Sequence, residues 1–282
     1  MDEIRLFVCS HKELPLPSAA PFCPIQVGAA LAERPFPGFL RDDAGDNISA
    51  KNRSYCELTA QYWAWKNDRA PWLGFFHYRR FLYPEPAARR PYRIEAAPTP
   101  ETLERLGFSG LAALAERYDA ILPIPEEMFV SVREHYAAAP HHRAADLRLA
   151  EEILKELRPE YAEAAERYLS GTRQLFGNLF IMRRAVFEDY CAWLFPILEE
   201  FDRRADWAGR SPQELRADGY LAERLLGVYA EEHRGRWRSL ELPRVHFDAI
   251  EGKPDWKNRL LYALLPPSSR RRALVKRLMK KD

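Results

Sequence analysis

Three polar clusters in the sequence combine side chains that bind phosphate or sugar hydroxyls. The first is His77 with Arg79 and Arg80, which close the aromatic run Gly74-Phe75-Phe76. Ionised side chains rarely stand beside a buried run without a partner. Arginine's planar fork fits a phosphate or a carboxylate. The second cluster, Ser10-His11-Lys12, follows an apolar stretch that begins at Ile4. The third holds Asp46 and Asn47, then Ser49, Lys51 and Asn52. Asn178 adds an amide within a later apolar run. A ligand carrying a base, a ribose and a diphosphate would use all of these. Acids and amides read the nucleoside, and lysine and arginine neutralise the phosphates.

The elements that must position these residues read as an α/β chain. Residues 4–9 form an apolar, partly β-branched strand, followed by a loop with Pro15, Pro17, Pro21 and Pro24. Ser54-Tyr55-Cys56-Glu57 matches a capping box, so a helix is expected from there to about Asn67. Its Tyr55, Leu58, Tyr62 and Trp65 form one stripe facing a core. Strands follow at 72–76, 118–123 and 176–182, with a helix at 101–117. Residues 126–170 read as helical, with a solvated loop at His141-His142, and two more helices are expected at 185–204 and 212–231. Pro196 should kink or interrupt the first of that pair. Alternating strands and helices predict right-handed crossovers and a largely parallel, Rossmann-like central sheet flanked by helices. In such sheets ligands sit at the strand ends, where the polar clusters fall. One domain over 1–265, with a helical insertion at about 126–172, and a basic amphipathic tail at 266–282 is the simplest organisation.

Several classes are disfavoured. The 282 residues carry a net charge of only +2, so nothing global argues for nucleic acid. Cys9, Cys23, Cys56 and Cys191 show no metal or redox spacing and read as buried thiols in a reducing compartment. No stretch has the apolar length of a membrane span, and no signal peptide is evident, so a cytoplasmic location is expected. The sequence contains no H-E-x-x-H, Walker loop, G-x-G-x-x-G or G-x-S-x-G.

The run from Gly45 through Asn52 to Asn67 resembles the signature of a bacterial family of capsular and exopolysaccharide glycosyltransferases long labelled a domain of unknown function. His77-Tyr78-Arg79-Arg80, Gly177-Asn178-Leu179-Phe180-Ile181-Met182, Tyr190-Cys191-Ala192-Trp193 and Gly219-Tyr220-Leu221-Ala222-Glu223 continue the likeness in order to about residue 230. The resemblance implies a glycosyltransferase A-type fold. It implies transfer of a hexose, galactofuranose or a pyranosyl relative, from a uridine diphosphate sugar to a surface polysaccharide acceptor. Most A-type enzymes hold a divalent metal with Asp-x-Asp. This sequence has none, and His77, Arg79 and Arg80 stand at the comparable strand end. Cations could neutralise the leaving group without metal, though the resemblance leaves metal dependence open. No other cofactor is implied.

An inverting transfer needs a general base, for which Asp119, Asp218 and Glu223 are the candidates. Asp119 could instead bind a sugar hydroxyl. His11, Asp46, Asn47, Lys51, Asn52, His77, Arg79, Arg80 and Asn178 are the expected donor-binding residues. Beyond Pro267, Leu274, Val275, Leu278 and Met279 share a helical face among seven Lys and Arg residues from Arg270 to Lys281. That pattern fits peripheral contact with an anionic membrane, where lipid-linked acceptors reside. A non-catalytic protein that binds nucleic acid or a membrane surface is the competing class.

Overall fold

The computed structural model describes residues 4–88, 90–254, 256–265 and 269–272. Strand β1 (Ile4–Ser10) is buried along nearly its whole length. Its alternation feeds two cores: Phe7 and Cys9 face one, Ile4, Leu6 and Val8 the other. Next come β2 (Phe22–Gln26), β3 (Leu40–Arg41), α1 (Asn52–Tyr55), α2 (Leu58–Asn67), β4 (Trp72–His77), β5 (Arg80–Leu82) and β6 (Tyr92–Glu95). Helices α3 (Pro100–Arg105) and α4 (Leu111–Ala115) lead to β7 (Ala120–Pro123).

Residues 126–174 form a helical unit closed at its base by β8 (Glu126–Glu127) against β9 (Arg173–Gln174). Between them lie α5 (Val132–Ala138), α6 (Ala144–Leu157) and α7 (Ala162–Ser170). The chain then runs through β10 (Phe180–Arg183), α8 (Arg184–Arg204), α9 (Ala217–Glu232), β11 (Ser239–Leu242), β12 (Arg244–Phe247) and α10 (Trp256–Leu264).

The main sheet has the order β11-β7-β10-β4-β1-β2-β3, and β5, β12 and β6 extend it beside β4. All neighbours along the main order are parallel except β10, which is antiparallel to both β4 and β7. At Gly74 an added Cβ would come within 2.5 Å of Leu6 Cδ2 and 3.0 Å of Ile181 Cγ1. Glycine therefore lets β1, β4 and β10 close up at the sheet centre.

Several expectations need correction. Ser54 and Glu57 do not form a capping box. Ser54 lies inside α1, and Cys56, at φ 52°, separates α1 from α2. The expected helix at 101–117 is broken at Gly107, φ 76°. Strand β2 lies in the proline-rich segment read as loop. Pro24 fits there because β3 pairs only with Ile25 and Gln26, leaving no ladder bond for Pro24 to donate on that edge. Helix α8 runs on through Pro196, with Phe195, Ile197 and Leu198 buried around it. Tyr62 and Trp65 of the aromatic stripe pack on Phe195, at centroid distances of 5.0 and 5.7 Å. Among the described residues no helix is long and apolar enough to cross a membrane. Most of the basic tail, from residue 273 onward, lies outside the described residues.

Candidate functional site

Strands β1 and β4 run side by side with Cys9 opposite His77, so both end at the same edge of the sheet. There β4 turns sharply into β5, with His77 paired to Arg80 and Tyr78-Arg79 at the tip. Two bonds set this hairpin. His77 Nδ1 accepts from the Arg79 amide at 3.2 Å, and the Tyr78 amide donates to the Cys9 carbonyl at 3.1 Å. The β1 end is folded by Ser10, whose hydroxyl donates to the Lys12 carbonyl at 2.7 Å.

A cavity of about 200 Å³ opens at this edge. Its floor is Cys9, Phe75 and Phe76, and one wall is His77, Arg79 and Arg80. The opposite wall comes from the α1–α2 junction (Cys56, Glu57) and from Gly177-Asn178-Leu179 before β10. The start of α9 supplies Arg216, Gly219, Tyr220 and Glu223. Asn178 fastens these pieces, because its amide donates to Glu57 Oε1 at 2.8 Å and to the Gly219 carbonyl at 3.2 Å. Gly219 allows α9 to approach, since a Cβ there would stand 3.1 Å from Cys56 Sγ.

The electrostatics divide by chemistry. Burial, then the Arg80 and Arg79 charges, holds His77 well below its ordinary value, and burial with Lys12 lowers His11. Both imidazoles are therefore neutral near neutral pH, and the positive charge is carried by guanidinium groups. Burial raises the Cys56 thiol to about 12, so it stays protonated 3.2 Å from Arg216 Nε. Glu251 accepts from Lys12 and Tyr78 and sits 3.2 Å from an Arg79 nitrogen, capping the cationic rim.

Burial pushes Glu223 up while Arg224, 2.9 Å away, pulls it back, and Glu57 adds a further upward push. Glu223 also accepts from the Gly177 amide at 3.1 Å. Asp218, fully buried beside Gly219, is pushed up to about 7 by burial, against the pull of the Ser54 hydroxyl.

Of the residues singled out from sequence, His77, Arg79, Arg80, Asn178 and Glu223 line this cavity. His11 stands beside it, its ring 5.6 Å from Tyr78. Others lie elsewhere. Asp119 precedes β7 at the opposite end of the sheet, 3.2 Å from Arg183 and accepting from the Arg238 amide at 2.9 Å. Asp46 accepts from Tyr62, and Asn47 donates to the carbonyls of Asp43 and Gly45. Lys51 pairs with Asp202 at 2.7 Å. That pair belongs to a shallow hollow of about 530 Å³ with Glu199, Glu200 and Arg203, where both cations are already paired with acids, Lys51 with Asp202 and Arg203 with Glu200.

Asn52 works through the backbone. It donates to the Cys56 carbonyl at 2.7 Å, and Thr59 donates to the same oxygen at 3.0 Å. Those bonds hold the positive-φ residue that turns Glu57 into the cavity. Sequence reasoning missed Cys56, Glu57 and Arg216. Glu57 was absorbed into the capping-box reading, and Arg216 lay in a charge-rich stretch without pattern. His142 also departs from the expected solvated loop: its ring stacks on Tyr220 at 4.1 Å.

Residues 5–234 match the model of a family described as a domain of unknown function, DUF4422. The chain belongs to that family. The apo structure of the WbbM bifunctional glycosyltransferase superimposes with a TM-score of 0.81 at 30% identity. The likeness covers 86% of this chain and 45% of that one, so the chain spans under half of WbbM's length. No curated protein matches the chain. With β10 antiparallel inside a mostly parallel sheet, the fold is of the glycosyltransferase A type.

Proposed function

We propose that this protein is a glycosyltransferase that moves a hexose from a uridine diphosphate sugar to a saccharide acceptor. The observation that carries this reading is the cavity at the β1 and β4 ends, which sets three guanidinium groups, Arg79, Arg80 and Arg216, around two carboxylates, Glu57 and Glu223. The guanidiniums hold the diphosphate and stabilise the charge that grows on it as the bond to the sugar C1 breaks. Arg79 and Arg80 follow β4, at the strand end comparable to the one where most A-type enzymes carry Asp-x-Asp, and a cationic wall disfavours a metal ion there.

The acceptor hydroxyl oxygen bonds to C1, uridine diphosphate leaves with the electron pair, and Glu223 takes the hydroxyl proton. Its upward shift improves it as a base at neutral pH. Transfer with inversion follows from attack opposite the leaving group. Glu57, across the cavity, binds hydroxyls of the transferred sugar. Galactofuranose is the donor sugar we favour, with a pyranosyl hexose the alternative. The acceptor is a growing, lipid-linked surface polysaccharide at the inner face of the cell membrane.

The test combines thermal shift with turnover. Uridine diphosphate should raise the melting temperature of the native protein by mass action, more than other nucleoside diphosphates do. Arg79→Ala and Arg80→Ala should each weaken that binding roughly ten- to a hundredfold, as expected for a lost charge-assisted hydrogen bond. Turnover should persist in excess chelator. Undiminished binding in both variants would place the diphosphate elsewhere, and abolition by chelator would reject the metal-free mechanism.

A further inference from the structure

Seven large apolar side chains are exposed among the described residues, and four of them, Trp256, Leu260, Leu261 and Leu264, lie on the nine-residue helix α10. Trp256 and Leu264 are 66% and 64% exposed. At about 100° per residue these four occupy one arc of roughly 140°. The other side of the helix is tied to the protein body. Arg259 makes a two-pronged ion pair with Asp248 at 2.6 and 2.7 Å. The Tyr262 ring lies 5.8 Å from Tyr92, and Arg272 covers Tyr262 at 5.1 Å. The helix is therefore held with its apolar face turned outward.

The charges around this face have one sign. From residue 253 to 272 the sequence holds six basic residues, Lys253, Lys257, Arg259, Arg270, Arg271 and Arg272, and one acid, Asp255. Lys253, Lys257, Arg270 and Arg271 are exposed. The nearby acids Asp248 and Glu251 are already paired, with Arg259 and with Lys12 and Arg79.

We propose that α10 is a lipid-contacting helix, which lies in the plane of an anionic membrane with Trp256, Leu260, Leu261 and Leu264 inserted. A tryptophan and leucines on one face, with a lysine whose stem can lie along that face and arginines close by in sequence, is the composition of an interfacial helix. Anionic lipid, rather than a protein groove, is the occupant because exposed Lys257 lies within the apolar arc, Lys253, Arg270 and Arg271 flank the helix in sequence, and no unpaired acid is described there. The segment 248–255 joins β12 to α10 and carries Glu251, which reaches the cationic rim of the cavity. Membrane contact through α10 would thus present lipid-linked molecules beside the cavity. The contact itself does not depend on the proposed sugar transfer.

The test is sedimentation of the full chain with vesicles of phosphatidylcholine alone or mixed with phosphatidylglycerol. The native chain should pellet with the anionic vesicles. Trp256→Ser/Leu260→Ser/Leu264→Ser should reduce that partitioning about tenfold or more, with melting temperature and uridine diphosphate binding unchanged. Lys257→Glu/Arg270→Glu/Arg271→Glu should abolish the preference for anionic lipid. Failure of the native chain to pellet, or equal pelleting of the apolar variant, would overturn the proposal. So would a solution dimer that the apolar variant converts to monomer without any lipid binding, because the face would then join two copies. Loss of uridine diphosphate binding in Arg79→Ala leaves this readout untouched, so the two readings fail separately.

Discussion

Asp218 makes a measurable pH-dependent drain on stability. Its carboxyl is completely buried, one oxygen accepts from Ser54, and the other has no hydrogen-bond partner among the described residues. Burial moves it from an ordinary 3.8 to about 7. The unfolded chain releases this proton near 3.8, while the folded protein keeps it to about 7. Between those values folding takes up a proton, so the carboxyl's contribution to stability falls as pH rises and levels off above about 7.

Three units at about 1.4 kcal/mol each make the loss roughly 4 kcal/mol. Asp218→Asn keeps an oxygen for Ser54 and cannot titrate. Its stability relative to the native protein should therefore climb by roughly 4 kcal/mol between about pH 4 and pH 8. The difference is the quantity to measure, by urea unfolding at several pH values. Half-buried His142 and His246, both lowered to about 4 chiefly by desolvation, act in the opposite direction on the native curve. A difference that stays constant across the range would refute the reasoning, whatever its sign.

Three further outcomes follow from the site and its support. Glu223→Gln should cut turnover by about 10²–10⁴ while uridine diphosphate binding persists, whereas Glu57→Gln should chiefly raise KM for the donor; kinetics on both variants separate the roles. Gly227→Ala should destabilise the protein by about 1–3 kcal/mol in thermal or urea unfolding, although alanine is the better helix former by about 1 kcal/mol. The reason is that its Cβ would fall 1.9 Å from the Tyr168 ring, whose hydroxyl is held by the Leu175 amide at 3.0 Å.

The central strands were legible because they are continuous apolar runs, and the hairpin cluster was legible because His77, Arg79 and Arg80 interrupt one of them. Asn178 and Glu223 could be singled out from the family's signature. Glu57 and Arg216 could not be found in this way. They meet the cavity only because Cys56 adopts a positive φ and α9 packs against that kink, contacts spanning about 160 residues of sequence. The Asp46 to Asn52 cluster misled for a related reason. Its polarity satisfies loop backbone and supports the kink, a use that looks the same in sequence as ligand binding. Strand β2 was hidden by Pro21 and Pro24, and β3, β11 and β12 are short and sit toward the sheet's flanks, where a few residues carry too little periodicity to read.

The notch at Gly227 also bears on how such a protein can be remodelled. Tyr168 belongs to the helical unit at 126–174, while Gly227 belongs to α9, the helix whose first two turns carry Gly219, Tyr220 and Glu223. The Tyr168 ring in this glycine gap keys the two together, beside the Tyr161–Tyr229 and His142–Tyr220 stacks and the Arg167–Glu231 ion pair. A helical unit transplanted from a relative would have to bring its own α9, or the ring and the gap would no longer match and Glu223 would shift with them. The exchangeable module is therefore the helical unit plus α9, which are separated in sequence by β10 and α8.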